Sequence, residues 1–353
     1  MEYLSSVQDK LKTIDESNIH YFNMLHFPEY FFGNVNFAGN TVDFCKIPTM
    51  AQYNMKNYNH VVQKVIHDYK SSTRGNRLRF KTDSKKIIIK IKLKRRFAYK
   101  NLNLCNSSGF DIYKIINNKY VYQEVIAPKD GENIFAEVII LSPSEGYCIF
   151  LPNYNQIEEF ILGIEKGTGI NPFNYPIGNQ LPIIFYGNSI TQGSAASKSG
   201  NSYPNIISRL MNRDIINLST SLCCRGSDAM AKLIGQINCH SIIIDYTRNA
   251  SVKEHLEENH EKFYKIIRQF HPDKKIILLT SSCFNNYAGY DDYDKIVTNT
   301  FKNAIKSNHN TFILNQKAVF DKSTFDYNTV DGCHYTDFGM YKIAKRISEI
   351  LEE

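Results

Sequence analysis

At 353 residues the chain is long enough for two domains, and 42% hydrophobic against 22% charged side chains is the balance of a folded globular protein, which excludes a disordered one. The net charge of +7 is concentrated in the run Lys85 to Lys100 and comes without a recognisable nucleic-acid motif, which argues against a nucleic-acid partner. No window of about 18 apolar residues is present to span a membrane, so no membrane partner is expected.

Met1 to Ile14 is polar and lacks an apolar signal-peptide core, which makes a cytoplasmic protein the expectation. Residues 1–40 read as an N-terminal extension whose aromatic pieces, His20-Tyr21-Phe22 and Phe27 to Phe32, pack on the domain that follows. From 41 to 175 apolar residues recur at every second position in short runs: Arg77 to Lys81, Ile87 to Leu93, Phe110 to Ile115, Tyr120 to Ile126, Ile134 to Leu141 and Tyr147 to Leu151. Turn-forming groups such as Asn117-Asn118 and Pro128-Lys129-Asp130-Gly131 separate them, so this half reads as an all-β, jelly-roll-like sandwich. In the basic run, Ile87, Ile89, Ile91 and Leu93 alternate with Lys90, Lys92 and Lys94, the pattern of a strand with one buried and one solvated face. Asn171 to Leu181, with two prolines, is the expected linker.

After Pro182, in residues 180–353, the texture changes. Short strand candidates at Ile183 to Tyr186, Ile215 to Leu218, Ser241 to Tyr246, Lys275 to Thr280 and Thr311 to Leu314 alternate with helical spacing, as in Phe263, Ile266, Ile267 and Phe270, and in Met340, Ile343, Ala344, Ile347 and Leu351. Parallel strands need helical crossovers, so this half is expected to be a three-layer, doubly wound α/β domain with its chemistry at the C-terminal ends of the strands. The eight cysteines form no Cys-x-x-Cys pair and no zinc spacing, so reduced thiols packed as small hydrophobes are expected, without a structural metal.

Two segments carry chemistry. Gly187-Asn188-Ser189-Ile190-Thr191-Gln192-Gly193 follows the first strand of the second half, so Ser189 falls at a helix N-terminus, where free backbone N–H groups can hold developing negative charge. A plain strand-to-helix turn would also favour Gly, Asn and Ser. Asp331-Gly332-Cys333-His334 precedes the last helix, and a carboxylate three residues before a histidine can fix the ring tautomer and leave Nε2 to take a proton. That segment alone also fits a capped helix start with a surface histidine. Both lie at the same edge of one predicted sheet, and their joint occurrence favours a catalytic pair.

The order and wording of these segments resemble the SGNH hydrolases, also called GDSL-type esterases, which have a flavodoxin-like parallel sheet. The resemblance implies Ser189 as nucleophile, His334 as base and Asp331 as the carboxylate that orients it. It further implies an oxyanion hole built from the backbone N–H groups of Ser189 and Leu222 and the side chain of Asn249. Leu222 stands where relatives usually have Gly, Asn188 replaces the usual Asp, and Tyr335 stands where Pro is common. The first half, with Ser72 to Ser84 and Gly109-Phe110-Asp111-Ile112-Tyr113, is similar to the β-sandwich preceding the hydrolase domain in a bacterial two-domain subfamily. The resemblance implies a carbohydrate O-acetyl esterase that needs no cofactor and acts on a small-molecule or glycan ester. Two rivals use the same chain differently: an acyl thioesterase or lysophospholipase with the same residues, and a glycan-binding module whose site is impaired at Leu222. Oligomeric state is left open.

Overall fold

The computed structural model describes residues 16–33, 36–38, 41–47, 60–95, 101–250, 252–283 and 290–353. Met1 to Ile14 and the end of the basic run, 96–100, lie outside them.

Two large antiparallel sheets form most of the first half, beside a small ribbon of Asn36–Ala38 and Thr41–Asp43. One joins Ile19–Asn23, Ile157–Glu165, Lys86–Leu93 and Ile134–Ile140 in that order. The other joins Ile170–Pro172, Arg77–Thr82, Gly146–Phe150, Phe110–Ile116 and Lys119–Ile126, with Phe31–Phe32 added against Arg77–Thr82. Their facing sides share one core that includes Leu78, Phe80, Ile87, Ile89, Ile91, Phe110, Ile112, Ile149, Phe160 and Leu162. The strand pairing takes in residues 19–23 and 31–32 of the expected extension and 170–172 at the edge of the expected linker. The lysines of the basic strand meet carboxylates: Lys90 pairs with Glu16 at 3.0 Å and Lys92 with Glu158 at 3.3 Å. Ile87, Ile89, Ile91 and Leu93 are buried and Lys90 and Lys92 are not, as the alternating pattern suggested.

The second half holds five parallel strands, β1 (Ile183–Gly187), β2 (Ile215–Asn217), β3 (Ser241–Asp245), β4 (Lys275–Leu279) and β5 (Thr311–Leu314), in the order β2-β1-β3-β4-β5. This is the flavodoxin-like order, whose switch point lies between β1 and β3. Alternation in β1 feeds both faces: Ile183 and Phe185 join the core beneath the helices Tyr203–Met211 and Asp337–Glu352, while Ile184 and Tyr186 face the helices Asp228–Gln236 and Lys253–Phe270. Strands buried on both faces read as continuous apolar runs. A helix at His60–Tyr69 from the first half sends Val62 and Ile66 into the second of these cores.

One expectation fails. Cys283, just after β4, and Cys333, beside His334, form a disulfide, so the eight cysteines are not all reduced. The other six are free, and Cys148, Cys223, Cys224 and Cys239 are buried as small hydrophobes.

Candidate active site

The turn after β1 brings the nucleophile candidate into place. Asn188 caps the short helix α1 (Ser189–Gln192), its Oδ1 accepting from the Ile190 N–H at 2.8 Å. Ser189 is the first helical residue, so its own N–H has no intrahelical acceptor and points outward. Gly187 is demanded by packing, because a Cβ there would collide with Thr191 Oγ1 and approach the Asp245 carbonyl to 2.9 Å.

At the other side of the site, residues 329–335 fold back on themselves, with Thr329 bridged to Tyr335 and the Val330 N–H donating to the His334 carbonyl at 2.9 Å. Asp331 Oδ1 accepts from the backbone N–H groups of His334 (2.7 Å) and Cys333 (3.0 Å), and Oδ2 lies 2.7 Å from His334 Nδ1. His334 Nε2 stands 2.9 Å from Ser189 Oγ. With Nδ1–H donating to a carboxylate, Nε2 is the acceptor, the tautomer a general base requires. Burial works to raise the Asp331 pKa, but the bonds from His334 and Cys333 outweigh it and hold the carboxyl below its ordinary value. Burial pushes the His334 pKa down; Asp331 opposes this and the positive charge of Arg248 adds to it, and the net shift is downward. His334 is therefore neutral at neutral pH.

The three oxyanion candidates lie together, but differently from expectation. Leu222 takes a left-handed backbone, φ +63°, with its side chain 45% exposed. This is the conformation glycine adopts without cost. Its N–H donates to Asn249 Oδ1 at 3.1 Å, while Asn249 Nδ2 donates to the Thr220 carbonyl at 3.1 Å. The Leu222 amide is thus engaged by the Asn249 side chain. What remains open is the Ser189 N–H and the second proton of the Asn249 amide, since Nδ2 carries two.

Other residues emerge only from the fold. Asp245, at the end of β3, is 1% exposed and accepts from Thr191 Oγ1 (2.8 Å), Tyr203 OH (3.1 Å), Gln316 Nε2 (3.0 Å) and Asn188 Nδ2 (3.4 Å). Gln316 Oε1 in turn accepts from Tyr335 OH at 2.8 Å. One chain of contacts therefore runs from the neighbour of Ser189 to the neighbour of His334, and Asn188 and Tyr335 have structural work there. Burial pushes the Asp245 carboxyl up to about 7, against its hydrogen-bond donors and the charge of Arg248. An acidic residue closing the apolar run Ser241 to Ile244 was the signal that could have marked it.

The β-rich half reaches into the same place. Tyr154 OH donates to the Ser189 carbonyl at 3.1 Å. Arg74 donates from Nη2 to Thr220 Oγ1 at 2.7 Å, next to the carbonyl that holds Asn249. Among the described residues no group of three or more His, Cys, Asp or Glu side chains is placed to hold a metal ion, and no helix is long and apolar enough to cross a membrane.

A serine, a neutral histidine and a carboxylate in hydrogen-bonded sequence at the C-terminal edge of a flavodoxin-like sheet define the site type of serine ester hydrolases. Residues 180–352 match the GDSL-like Lipase/Acylhydrolase family, and residues 21–170 match the model for the N-terminus of Esterase_SGNH_hydro-type. The chain belongs to the SGNH/GDSL-type hydrolases, enzymes that cleave esters. A GDSL-like lipase from Bacteroides ovatus is similar in fold, with 22% identity, TM-score 0.78, and 95% of this chain and 98% of that one covered. A salicylyl-acyltransferase from a tetracycline biosynthetic pathway is 17% identical, with TM-score 0.74 and 94% and 97% covered. A family two carbohydrate esterase from Cellvibrio japonicus is 13% identical, with TM-score 0.57 and 95% and 98% covered. No curated protein matches the chain.

Proposed function

We propose that this protein is a serine esterase that works through an acyl-enzyme, and that its substrates are O-acylated carbohydrates. His334 Nε2 takes the Ser189 hydroxyl proton as Oγ attacks the ester carbonyl. The tetrahedral oxyanion is held by the Ser189 N–H and the Asn249 amide, whose orientation Leu222 and Thr220 set. His334 then passes the proton to the departing alcohol oxygen, and water, activated by the same imidazole, releases the acid and restores Ser189. Asp331 keeps the ring in its working tautomer throughout.

The observation that carries this reading is the unbroken chain Ser189 Oγ to His334 Nε2 (2.9 Å) and His334 Nδ1 to Asp331 Oδ2 (2.7 Å). The carbohydrate part is supported by the likeness in fold to carbohydrate esterases, one of them, from Clostridium thermocellum, described in complex with cellohexaose at 12% identity and TM-score 0.55.

Hydrolysis of p-nitrophenyl acetate by wild type, Ser189→Ala and Asn249→Ala tests the chemistry, and acetylated sugars against octanoyl esters test the substrate class. Ser189→Ala is expected to be inactive and Asn249→Ala to lose about 100-fold to 1000-fold in kcat, the usual cost of one oxyanion donor. Undiminished activity in Ser189→Ala would end the proposal.

A further inference from the structure

We propose that Tyr154, in the β-rich half, is a positioning residue for the reaction: it fixes the nucleophile turn and the loop that orients Asn249 relative to one another. This rests on the ester-hydrolase reading above.

Tyr154 lies in the loop 151–156, which carries the chain from Gly146–Phe150 in one sheet to Ile157–Glu165 in the other. The loop is pinned along its length. The Pro152 carbonyl accepts from Thr73 Oγ1 at 2.7 Å, the Asn153 N–H donates to the Asn106 carbonyl at 3.1 Å, and the Asn155 N–H donates to the Ser107 carbonyl at 2.9 Å. Tyr154 itself is 2% exposed and packs edge-on against Tyr69, with ring centroids 5.5 Å apart. The ring is therefore fixed, and its hydroxyl is delivered to one place.

That place lies between two parts of the site. The hydroxyl donates to the Ser189 carbonyl at 3.1 Å and stands 3.4 Å from Ser221 Oγ. The Ser189 carbonyl also accepts from the Ser194 N–H at 2.8 Å, so the peptide that follows the nucleophile is held from both halves of the molecule. Ser221 belongs to the other part, because its neighbour Leu222 donates its N–H to Asn249 Oδ1. Gln192, the last residue of α1, joins the same contacts. Its Oε1 accepts from the Ser221 N–H (2.8 Å) and from Ser221 Oγ (2.9 Å), and its Nε2 donates to the Asn153 carbonyl at 3.2 Å.

Counting protons singles out Tyr154. A backbone N–H can only donate, so the Gln192 atom facing Ser221 is the amide oxygen, and the Ser221 hydroxyl proton goes to that oxygen as well. A carbonyl can only accept, which leaves the Tyr154 proton to join Ser189 and Ser221. Burial pushes this hydroxyl up to about 12, so it keeps its proton throughout the range in which His334 titrates. Without it, the Ser189 peptide and Ser221 face each other with no donor between them, and α1 is free to shift against the loop 220–222. Catalysis by oriented groups is sensitive to such shifts, since a displacement of ~1 Å can cost about 100-fold in rate.

Tyr154→Phe tests this, because it keeps the ring against Tyr69 and removes only the hydroxyl. With p-nitrophenyl acetate, kcat should fall about 10-fold to 100-fold while KM is unchanged, and the rate of Ser189 labelling by a fluorophosphonate should fall with kcat. The pH at which kcat/KM is half-maximal should not move, since His334 and Asp331 are untouched. Ser221→Ala should lower kcat in the same way, and the double variant should lose less than the product of the two single losses, because both hydroxyls act in one contact. All rates are measured well below the Tm of each variant, so unfolding does not enter. A Tyr154→Phe enzyme with a lowered Tm but the kcat and labelling rate of wild type would show a hydroxyl that only stabilises the fold and would overturn the proposal, as would losses that multiply in full. A wild type that neither hydrolyses the ester nor takes the label refutes the esterase reading, whereas a labelled, active wild type matched by Tyr154→Phe refutes only the role of Tyr154.

Discussion

Asp245 shows how one side chain couples the site to pH. Its carboxyl rises from 3.8 to about 7 on folding, because burial outweighs the donors around it. An acid raised by folding binds more protons in the native than in the unfolded state between those values, so stability falls as pH rises through that window. Its favourable contribution is present at low pH and lost on passing about 7. Asp245→Asn removes the titration, so the difference in Tm between wild type and variant should shift in favour of the variant from pH 5 to pH 8. A difference that stays constant over that range would show that Asp245 does not titrate there. Ser189, Asp331 and His334 were legible in the sequence because each sits in a short contiguous motif. Asp245 and Gln316 were not, since they gain meaning only when the ends of β3 and β5 are brought beside the Ser189 turn. Leu222 was legible as an anomaly, but the direction of its N–H depends on a side chain 27 residues away.

Among the elements, the β-rich half serves as a buttress for the loops of the hydrolase half. Asp111, from the Gly109 to Tyr113 motif, accepts from the Gly200 N–H and from Lys198 Nζ, both at 3.0 Å. Asn106 Nδ2 donates to the Gly193 carbonyl at 2.8 Å, just past α1. Arg74 is fully buried and holds the Tyr69 carbonyl, Ser72 Oγ and Thr220 Oγ1, each at 2.7 Å. Arg74→Leu strands those acceptors in a dry interface and should cost about 2–4 kcal/mol in stability, with a fall in kcat at temperatures where the variant is still folded. Urea unfolding and turnover measured on one preparation check both, and a variant as stable and active as wild type would deny the buttress its role. The elements themselves were unevenly readable. The five parallel strands stood out because burial on both faces makes uninterrupted apolar runs. The strand Ile157–Glu165 escaped because its register shifts between Ile157 and Glu159, which breaks the period of two. The helix His60–Tyr69 escaped because its buried face, Val62, Ile66 and Tyr69, is narrow and packs across the boundary between the two halves.

For the molecule as a whole, the Cys283–Cys333 disulfide ties the end of β4 to the turn that carries Asp331 and His334. Nothing local announces it, because the two cysteines are 50 residues apart and only the parallel sheet brings their Cα atoms to 4.6 Å. The disulfide runs against the expectation of reduced thiols, since structural disulfides persist where conditions are oxidising. Closing a loop of this length restricts the unfolded chain, an effect typically worth about 2–4 kcal/mol. Reduction should therefore lower Tm. It should also lower kcat well below Tm, because Cys333 donates its N–H to the same Asp331 Oδ1 that holds His334. The combined Cys283→Ser and Cys333→Ser variant should match the reduced wild type in both measurements and ignore dithiothreitol. If reduction lowers Tm while kcat at 25 °C is unchanged, the cross-link acts on the unfolded chain alone and the hydrogen bonds of the Asp331 to His334 turn hold the base in place without it.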